Sequence, residues 1–154
     1  MRKLNPDYVE IAKRYANTCP YFELISMELK EIRWGECRIE LAVAEKHLQP
    51  FGNVHGGVFS SLVDATTFWA VFSQIEEDVG MTTVELKLNY LAPVSTGRMI
   101  GKGKSIRVGK TLCLGEATIE DEKGDILAHG TSTMMILKNL KFQGKEKWPP
   151  KFLD

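Results

Sequence analysis

A chain of 154 residues is long enough to bury a sizeable core in one domain, and its 44% hydrophobic and 26% charged content is that of an ordinary soluble globular protein. Twenty basic and twenty acidic residues cancel, which removes the whole-chain field that binding to nucleic acid or an anionic membrane would call on. The three cysteines, Cys19, Cys37 and Cys113, form no CxxC pair, so a disulfide or zinc framework is disfavoured and a reduced compartment is expected. Residues 1–20 mix Arg2, Lys3, Asp7 and Glu10 without the apolar core of a signal peptide, and no apolar run approaches a membrane span. The expectation is one cytoplasmic domain over residues 1–154, with no membrane and no nucleic-acid partner.

Pro6 opens a short helix with Asn5 as its cap and Tyr8, Val9, Ile11, Ala12 and Tyr15 on its apolar side; Cys19-Pro20 closes it. This makes residues 1–20 a helical extension. Leu24–Arg33 and Glu36–Ala44 read as strands broken at Trp34-Gly35, and Cys37, Ile39, Leu41 and Val43 share one face of the second. The pair forms a half-buried antiparallel hairpin. After a loop over 45–54 rich in His, Pro, Gly and Asn, one long helix is predicted from Gly56 to Glu77, apolar around most of its circumference and therefore buried. Gly80 stops it. Strands Met81–Leu91, Met99–Arg107, Thr111–Asp121 and Asp125–Leu137 follow as a meander, with breaks at Pro93–Gly97, Val108-Gly109-Lys110 and Glu122–Gly124. Residues 138–154 form an irregular tail. The fold class is α+β: an antiparallel sheet of five to six strands wrapped around one long central helix.

The segment from Gln49 through His55-Gly56-Gly57 to Asp64 carries the chemistry. Helix starts gather unpaired N–H groups and partial positive charge, which suit an oxygen that becomes negative during reaction. A carboxylate inside an apolar helix is costly unless exposed, paired or used. Gly56 and Asp64 are eight residues apart, about 12 Å along a helix axis, so one carbonyl cannot touch both within one chain. Two copies of the helix packed antiparallel would bring the helix start of one to the Asp of the other. If both groups act on one substrate, the protein is an obligate homo-oligomer with its site at the interface. Ser60, Ser61, Thr67 and Phe68 flank Asp64 at helical spacing and make a substrate-facing stripe. Taken singly each residue has a plainer role: Asp64 facing solvent, His55 capping the helix, Gly56-Gly57 allowing close packing, Gln49 an ordinary loop amide.

Between Glu85 and Glu116 there is no acidic residue, yet Lys87, Arg98, Lys102, Lys104, Arg107 and Lys110 all occur. This basic strip suits the phosphates of a carrier such as coenzyme A, or else is a solvated strand face. It lacks the interleaved aromatic residues of a nucleic-acid surface. There is no GxSxG elbow, Walker A loop or GxGxxG between a strand and a helix, and His47, His55 and His129 have no metal-ligand spacing.

These motifs resemble those of hotdog-fold acyl-CoA thioesterases of the 4-hydroxybenzoyl-CoA thioesterase superfamily, of the phenylacetate-pathway type. The likeness spans roughly residues 22–137 and rests on three motifs in order. They are Gln49 with His55-Gly56-Gly57 and Asp64; the strand Val84–Tyr90 followed by Leu91-Ala92-Pro93; and the turn from Arg107 through Gly109, Lys110 and Thr111 to Leu112. The resemblance implies that Asp64 is the nucleophile or the general base that activates water, and that Gly56 N–H polarises the thioester carbonyl and stabilises its oxyanion. It implies that Gln49 orients the water or the Asp, that His55 shapes the oxyanion loop, and that Thr83 holds the water. Tyr90, Pro93, Arg107, Gly109, Lys110 and Thr111 would line the coenzyme A path. The site would span two subunits of a homodimer or of a tetramer built as a dimer of dimers. No metal and no cofactor is implied, coenzyme A being part of the substrate. Two other activities share such a fold. A non-catalytic acyl-CoA-binding protein needs no water-activating set, whereas Asp64, Gln49 and Thr83 are all present. An acyl-thioester dehydratase or hydratase uses a catalytic His with a different partner motif, which is absent here.

Overall fold

The computed structural model describes residues 2–153; Met1 and Asp154, the ends of the expected domain, lie outside the described residues. Helix α1 (Pro6–Asn17) starts as the sequence predicts, with Asn5 Oδ1 accepting from Asp7 N–H at 3.0 Å and Pro6 in the first turn. Pro20 does not end the local helical structure. It opens a second, short helix, α2 (Pro20–Ile25), and Ser26 closes this in the left-handed region at φ 59. The first strand therefore begins three residues later than expected, as β1 (Met27–Arg33). It pairs with β2 (Glu36–Ala42) in register Met27↔Leu41 to Arg33↔Glu36, across a turn in which Gly35 takes φ 74.

Helix α3 (Gly56–Phe72) is followed by β3 (Gly80–Tyr90), β4 (Arg98–Val108), β5 (Leu112–Glu120) and β6 (Ile126–Leu137). All pairings are antiparallel, in the sheet order β1-β2-β4-β5-β6-β3. The expected meander is thus correct for β4, β5 and β6 only. The chain leaving α3 enters the sheet at its far edge, so β3 pairs with β6, and β4 returns to β2. Helix α3 lies across the inner face and buries Phe59, Leu62, Val63, Trp69 and Val71. Its approach is close because glycines face it. A Cβ on Gly103 would sit 2.4 Å from Thr66 O, and one on Gly130 would sit 2.8 Å from Val63 Cγ1.

The central helix is five residues shorter than the reading to Glu77, since its last residue is Phe72. The cause lies at the other end of the chain. The fully buried Lys151 donates from Nζ to Phe72 O at 2.5 Å and Ile75 O at 2.7 Å, taking carbonyls that a continuing helix would use. Ser73 turns the chain, its hydroxyl donating to Ala70 O and accepting from Gly35 N–H, both at 2.7 Å. The tail is held in place accordingly. Leu4 bridges Phe152, Asn5 Nδ2 donates to Pro150 O at 2.8 Å, and Lys145–Lys147 form one 3-10 turn where no regular element is expected.

Burial pushes the Lys151 ammonium down to about 7; the Lys145 and Arg2 charges add to this, and Glu77 and Glu76 oppose it. Between about 7 and 10.5 the folded chain sheds a proton that the unfolded chain keeps, so this group makes stability rise with pH through that window. Below it both states are protonated and the full burial penalty stays. The stability of wild type relative to Lys151→Met should therefore grow from pH 7 to pH 10, read by urea unfolding at several pH values. Parallel curves would remove Lys151 as the titrating group.

Candidate active site

The two halves of the expected site are formed locally, in separate clefts. Asp64 and Thr83 do meet: Thr83 Oγ1 donates to Asp64 Oδ1 at 2.8 Å, from the inner side of β3 to α3. Both are half-buried, in a cleft of about 530 Å³ shared with Ser60, Ser61, Phe68 and Tyr21. Ser61 Oγ gives its hydrogen to Gly57 O at 2.9 Å, so the Tyr21 hydroxyl, 2.6 Å away, donates to Ser61. Tyr21 comes from α2, which the sequence pattern does not reveal. Thr67 corrects the expected polar stripe. It points inward, is fully buried, and lies 2.8 Å from Ser132 Oγ, so only Ser60, Ser61 and Phe68 of that stripe face the cleft.

The helix start forms the second cleft, about 500 Å³, lined by Gln49, Gly56, Phe59, Tyr90 and Pro93 among others. His55 is the N-cap residue: its Nδ1 accepts from Gly57 N–H at 2.8 Å, which leaves the ring proton on Nε2. Gly56 N–H, at the first helical position, finds no acceptor among the described residues. Tyr90 closes over it, with its hydroxyl donating to Gly56 O at 3.2 Å and its ring edge-on to Phe59 at 5.6 Å. Gln49 Oε1 accepts from Phe51 N–H within its own turn, so its NH₂ group remains to donate elsewhere.

Buried His47 holds this loop, a role that neither its spacing nor its neighbours announce. Its Nδ1 accepts from Ala44 N–H at 2.9 Å, its Nε2 donates to Ile25 O at 2.7 Å, and its carbonyl accepts from His55 N–H at 2.8 Å. The helix start is thereby tied to the end of α2.

The basic strip divides. Arg98 pairs with Glu40 at 3.1 Å and Lys102 with Glu120 at 2.6 Å, whereas Lys104, Arg107 and Lys110 form no ion pair among the described residues. Gly109, Lys110 and Thr111 line a third cleft, about 520 Å³, against Gln74 and Ile75. It lies beyond the C-terminal end of α3, which is itself about 12 Å from Asp64 along the helix axis. Arg107 is exposed on β4 beside it. Within one chain, therefore, the residues expected on the carrier path fall into two groups, Tyr90 with Pro93 and the Arg107–Thr111 hairpin.

Burial raises the Cys37 thiol well above its usual range, with the Glu31 charge adding to it. Burial also raises Cys113, against a hydrogen bond to Gly109 O, so neither thiol is poised as a thiolate. Among the described residues no group of three or more His, Cys, Asp or Glu could hold a metal, and no helix is long and apolar enough to cross a membrane.

A six-stranded antiparallel sheet wrapped on one long helix is the architecture of the hotdog fold. The family model described as Thioesterase superfamily matches residues 51–128. A 1,4-dihydroxy-2-naphthoyl-CoA hydrolase of Listeria monocytogenes is 30% identical over 119 residues, covering 77% of this chain and 97% of that protein. The proofreading thioesterase EntH of Klebsiella pneumoniae is 30% identical over 90 residues, covering 58% of this chain and 66% of its own. A solved thioesterase of Haemophilus influenzae superposes with a TM-score of 0.82 over 93% of this chain and 99% of that one, at 19% identity, a likeness of fold. The chain belongs to the thioesterase superfamily and is a thioester hydrolase of hotdog fold.

Proposed function

We propose that the protein hydrolyses an acyl-CoA to free acid and CoA in a site completed by two copies of the chain. The observation that carries this reading is the position of β3. One strand holds Thr83 against Asp64 and Tyr90 against Gly56, and that strand is the edge of the sheet. Its outer row of N–H and C=O groups is a template for another strand, and Val84, Leu86 and Tyr90 are exposed along it. Antiparallel pairing with a second copy's β3, centred on Leu86 and Lys87, sets Thr83 opposite the second copy's Tyr90. Asp64 then faces the second copy's Gly56, which the separation of about 12 Å forbids within one chain. The second copy's Gln49 loop lies toward the Gln74 end of α3, so the thioester and the Arg107–Thr111 hairpin fall on one path. Such pairing yields a homodimer, or a tetramer if two dimers associate.

In this reading Asp64 is the general base. Thr83 occupies Oδ1, leaving Oδ2 and a lone pair of the Thr83 hydroxyl to accept both hydrogens of one water. The water oxygen attacks the carbonyl carbon as Oδ2 takes its proton, and the oxyanion accepts from Gly56 N–H, with Gln49 NH₂ as a second donor. His55 fixes the helix start by capping it. Collapse breaks the C–S bond, and the departing thiolate takes the proton back from Asp64. Lys104, Arg107 and Lys110 supply unpaired positive charge for phosphates, beside the path lined by Tyr90, Pro93, Gly109 and Thr111.

The test is release of free thiol from a panel of acyl-CoAs, with the enzyme sized at assay concentration. Turnover by a dimer or tetramer is expected. Binding of CoA esters without turnover would support a carrier-sensing protein instead, and an active monomer would end the shared-site reading.

A further inference from the structure

We propose that Lys151 is a positioning residue for the carrier: by ending α3 it sets one wall of the cleft that takes the phosphate-bearing part of coenzyme A. The proposal rests on the acyl-CoA reading above and adds a residue too buried to touch substrate. The cleft beyond α3 has two walls. One is the hairpin from Val108 to Thr111; the other is Gln74, Ile75 and Glu76, from the segment between α3 and β3. The hairpin holds itself. Gly109 N–H donates to Leu112 O at 3.0 Å, and Ile136 N–H ties Thr111 O to β6 at 2.7 Å.

The opposite wall depends on the ends of the chain. Residues 73–79 belong to no helix or strand, and cations from both termini hold them. Lys151 Nζ donates to Phe72 O and Ile75 O, Lys145 Nζ donates to Glu77 O, and Arg2 pairs with Glu76. Of these cations only Lys151 is fully buried. The exposed Arg2–Glu76 pair holds the backbone weakly. Lys151 instead meets the unpaired carbonyls and negative end of the helix. Trp69 O, Ala70 O and Val71 O accept from Ser73 N–H, Ser73 Oγ and Gln74 N–H, which leaves Phe72 O to Lys151. Holding Phe72 O and Ile75 O on one nitrogen fixes the turn that presents Gln74 and Glu76 to the cleft.

The same contacts set the charge of the cleft. Among the described residues that line it, Glu76 is the one carboxylate, facing Lys110 and Lys138, and unmasked it would repel a phosphate. Arg2 Nη1 lies 3.0 and 3.2 Å from its two oxygens. The Arg2 guanidinium in turn sits 3.7 Å above the ring of Phe152, the neighbour of Lys151. Seating Lys151 therefore places Phe152, Phe152 supports Arg2, and Arg2 offsets Glu76. The lysines are then left to the phosphates.

The experiment measures kcat and KM for one acyl-CoA, and kcat/KM for the same acyl group on N-acetylcysteamine, a thioester without phosphate. Wild type is compared with Lys151→Met, Lys151→Gln and Lys110→Ala, with folding checked by circular dichroism. Methionine fills the buried space and donates nothing. Lys151→Met should raise KM for the acyl-CoA about tenfold, keep kcat within about twofold and leave the phosphate-free ester unaffected. Glutamine is one bond shorter and keeps part of the donation. Lys151→Gln should raise the same KM about threefold, and it carries the test if Lys151→Met does not fold. Equal losses on both thioesters would make Lys151 merely structural and overturn the proposal. Lys110→Ala, on the facing wall, should also raise KM for the acyl-CoA. If it does so while the Lys151 variants match wild type, the carrier reading stands and the role of Lys151 falls. If no variant moves KM, the carrier does not use this cleft and both fall. If wild type cleaves no thioester, the hydrolase reading fails by itself, and calorimetry with CoA decides. Weaker binding to the Lys151 variants supports the proposal; equal binding, or none to wild type, overturns it.

Discussion

Replacing Asp64 with Asn should lower kcat by about 10²–10⁴-fold with little change in thermal stability. Asparagine keeps the volume of the side chain and can still accept from Thr83 Oγ1 through its amide oxygen. What it loses is the atom that takes the proton from water. The other amide position becomes an NH₂ donor, which would turn the water the wrong way round. KM should change little if, as proposed, the carboxylate acts on the water rather than on the carrier. The check is kcat and KM by thiol release, with Asp64→Ala alongside. An Asp64→Ala enzyme with wild-type kcat would mean that the base lies elsewhere.

Replacing Gly56 with Pro should lower kcat by about 10²–10³-fold, the usual cost of one oxyanion donor. This substitution removes one N–H and little else. Gly56 is the first residue of α3, where proline suits the helix, and His55 before it is already extended at φ −62, ψ 140, as a residue preceding proline prefers. The added carbon does approach Tyr90, since a Cβ on Gly56 would lie 2.8 Å from Tyr90 Oη, the free tip of a side chain. Gly56→Ala carries the same Cβ but keeps the N–H, so it isolates that crowding. Activity is expected to fall far more in Gly56→Pro than in Gly56→Ala. Equal losses would assign the effect to Tyr90 and leave the helix start without a catalytic role.

What the sequence reveals follows from how local each feature is. Alternation of buried side chains marks β2, and Asn5-Pro6 and His55-Gly56 mark helix starts, because each is set by neighbours in the chain. The order of strands is not local: a period of two says which face is buried and nothing about partners, so β3 read as part of a meander although it lies at the edge. The end of α3 depends on Lys151, 79 residues from Phe72, which no window of sequence could connect to it. Leu24 and Ile25 read as strand because a short run of apolar residues fits either period, and Pro20 turned it into helix. Within the site, spacing alone separated Gly56 from Asp64 and called for a second copy. The resemblance implied that Thr83 holds the water beside Asp64's role in activating it, whereas the hydrogen bond between the two, and the places of Tyr21 and His47, emerged only from the fold.

The shared site is tested most directly by mixing two dead enzymes. Asp64→Asn and Gly56→Pro chains, co-expressed in equal amounts, should form hybrids in about half of all dimers. In each hybrid one of the two sites combines an intact Asp64 from one chain with an intact Gly56 from the other, while the second site carries both changes. The mixture should regain about a quarter of wild-type activity. If Asp64 and Gly56 of the same chain acted together, no hybrid would hold a working site, and the mixture would stay at the mean of its two parents.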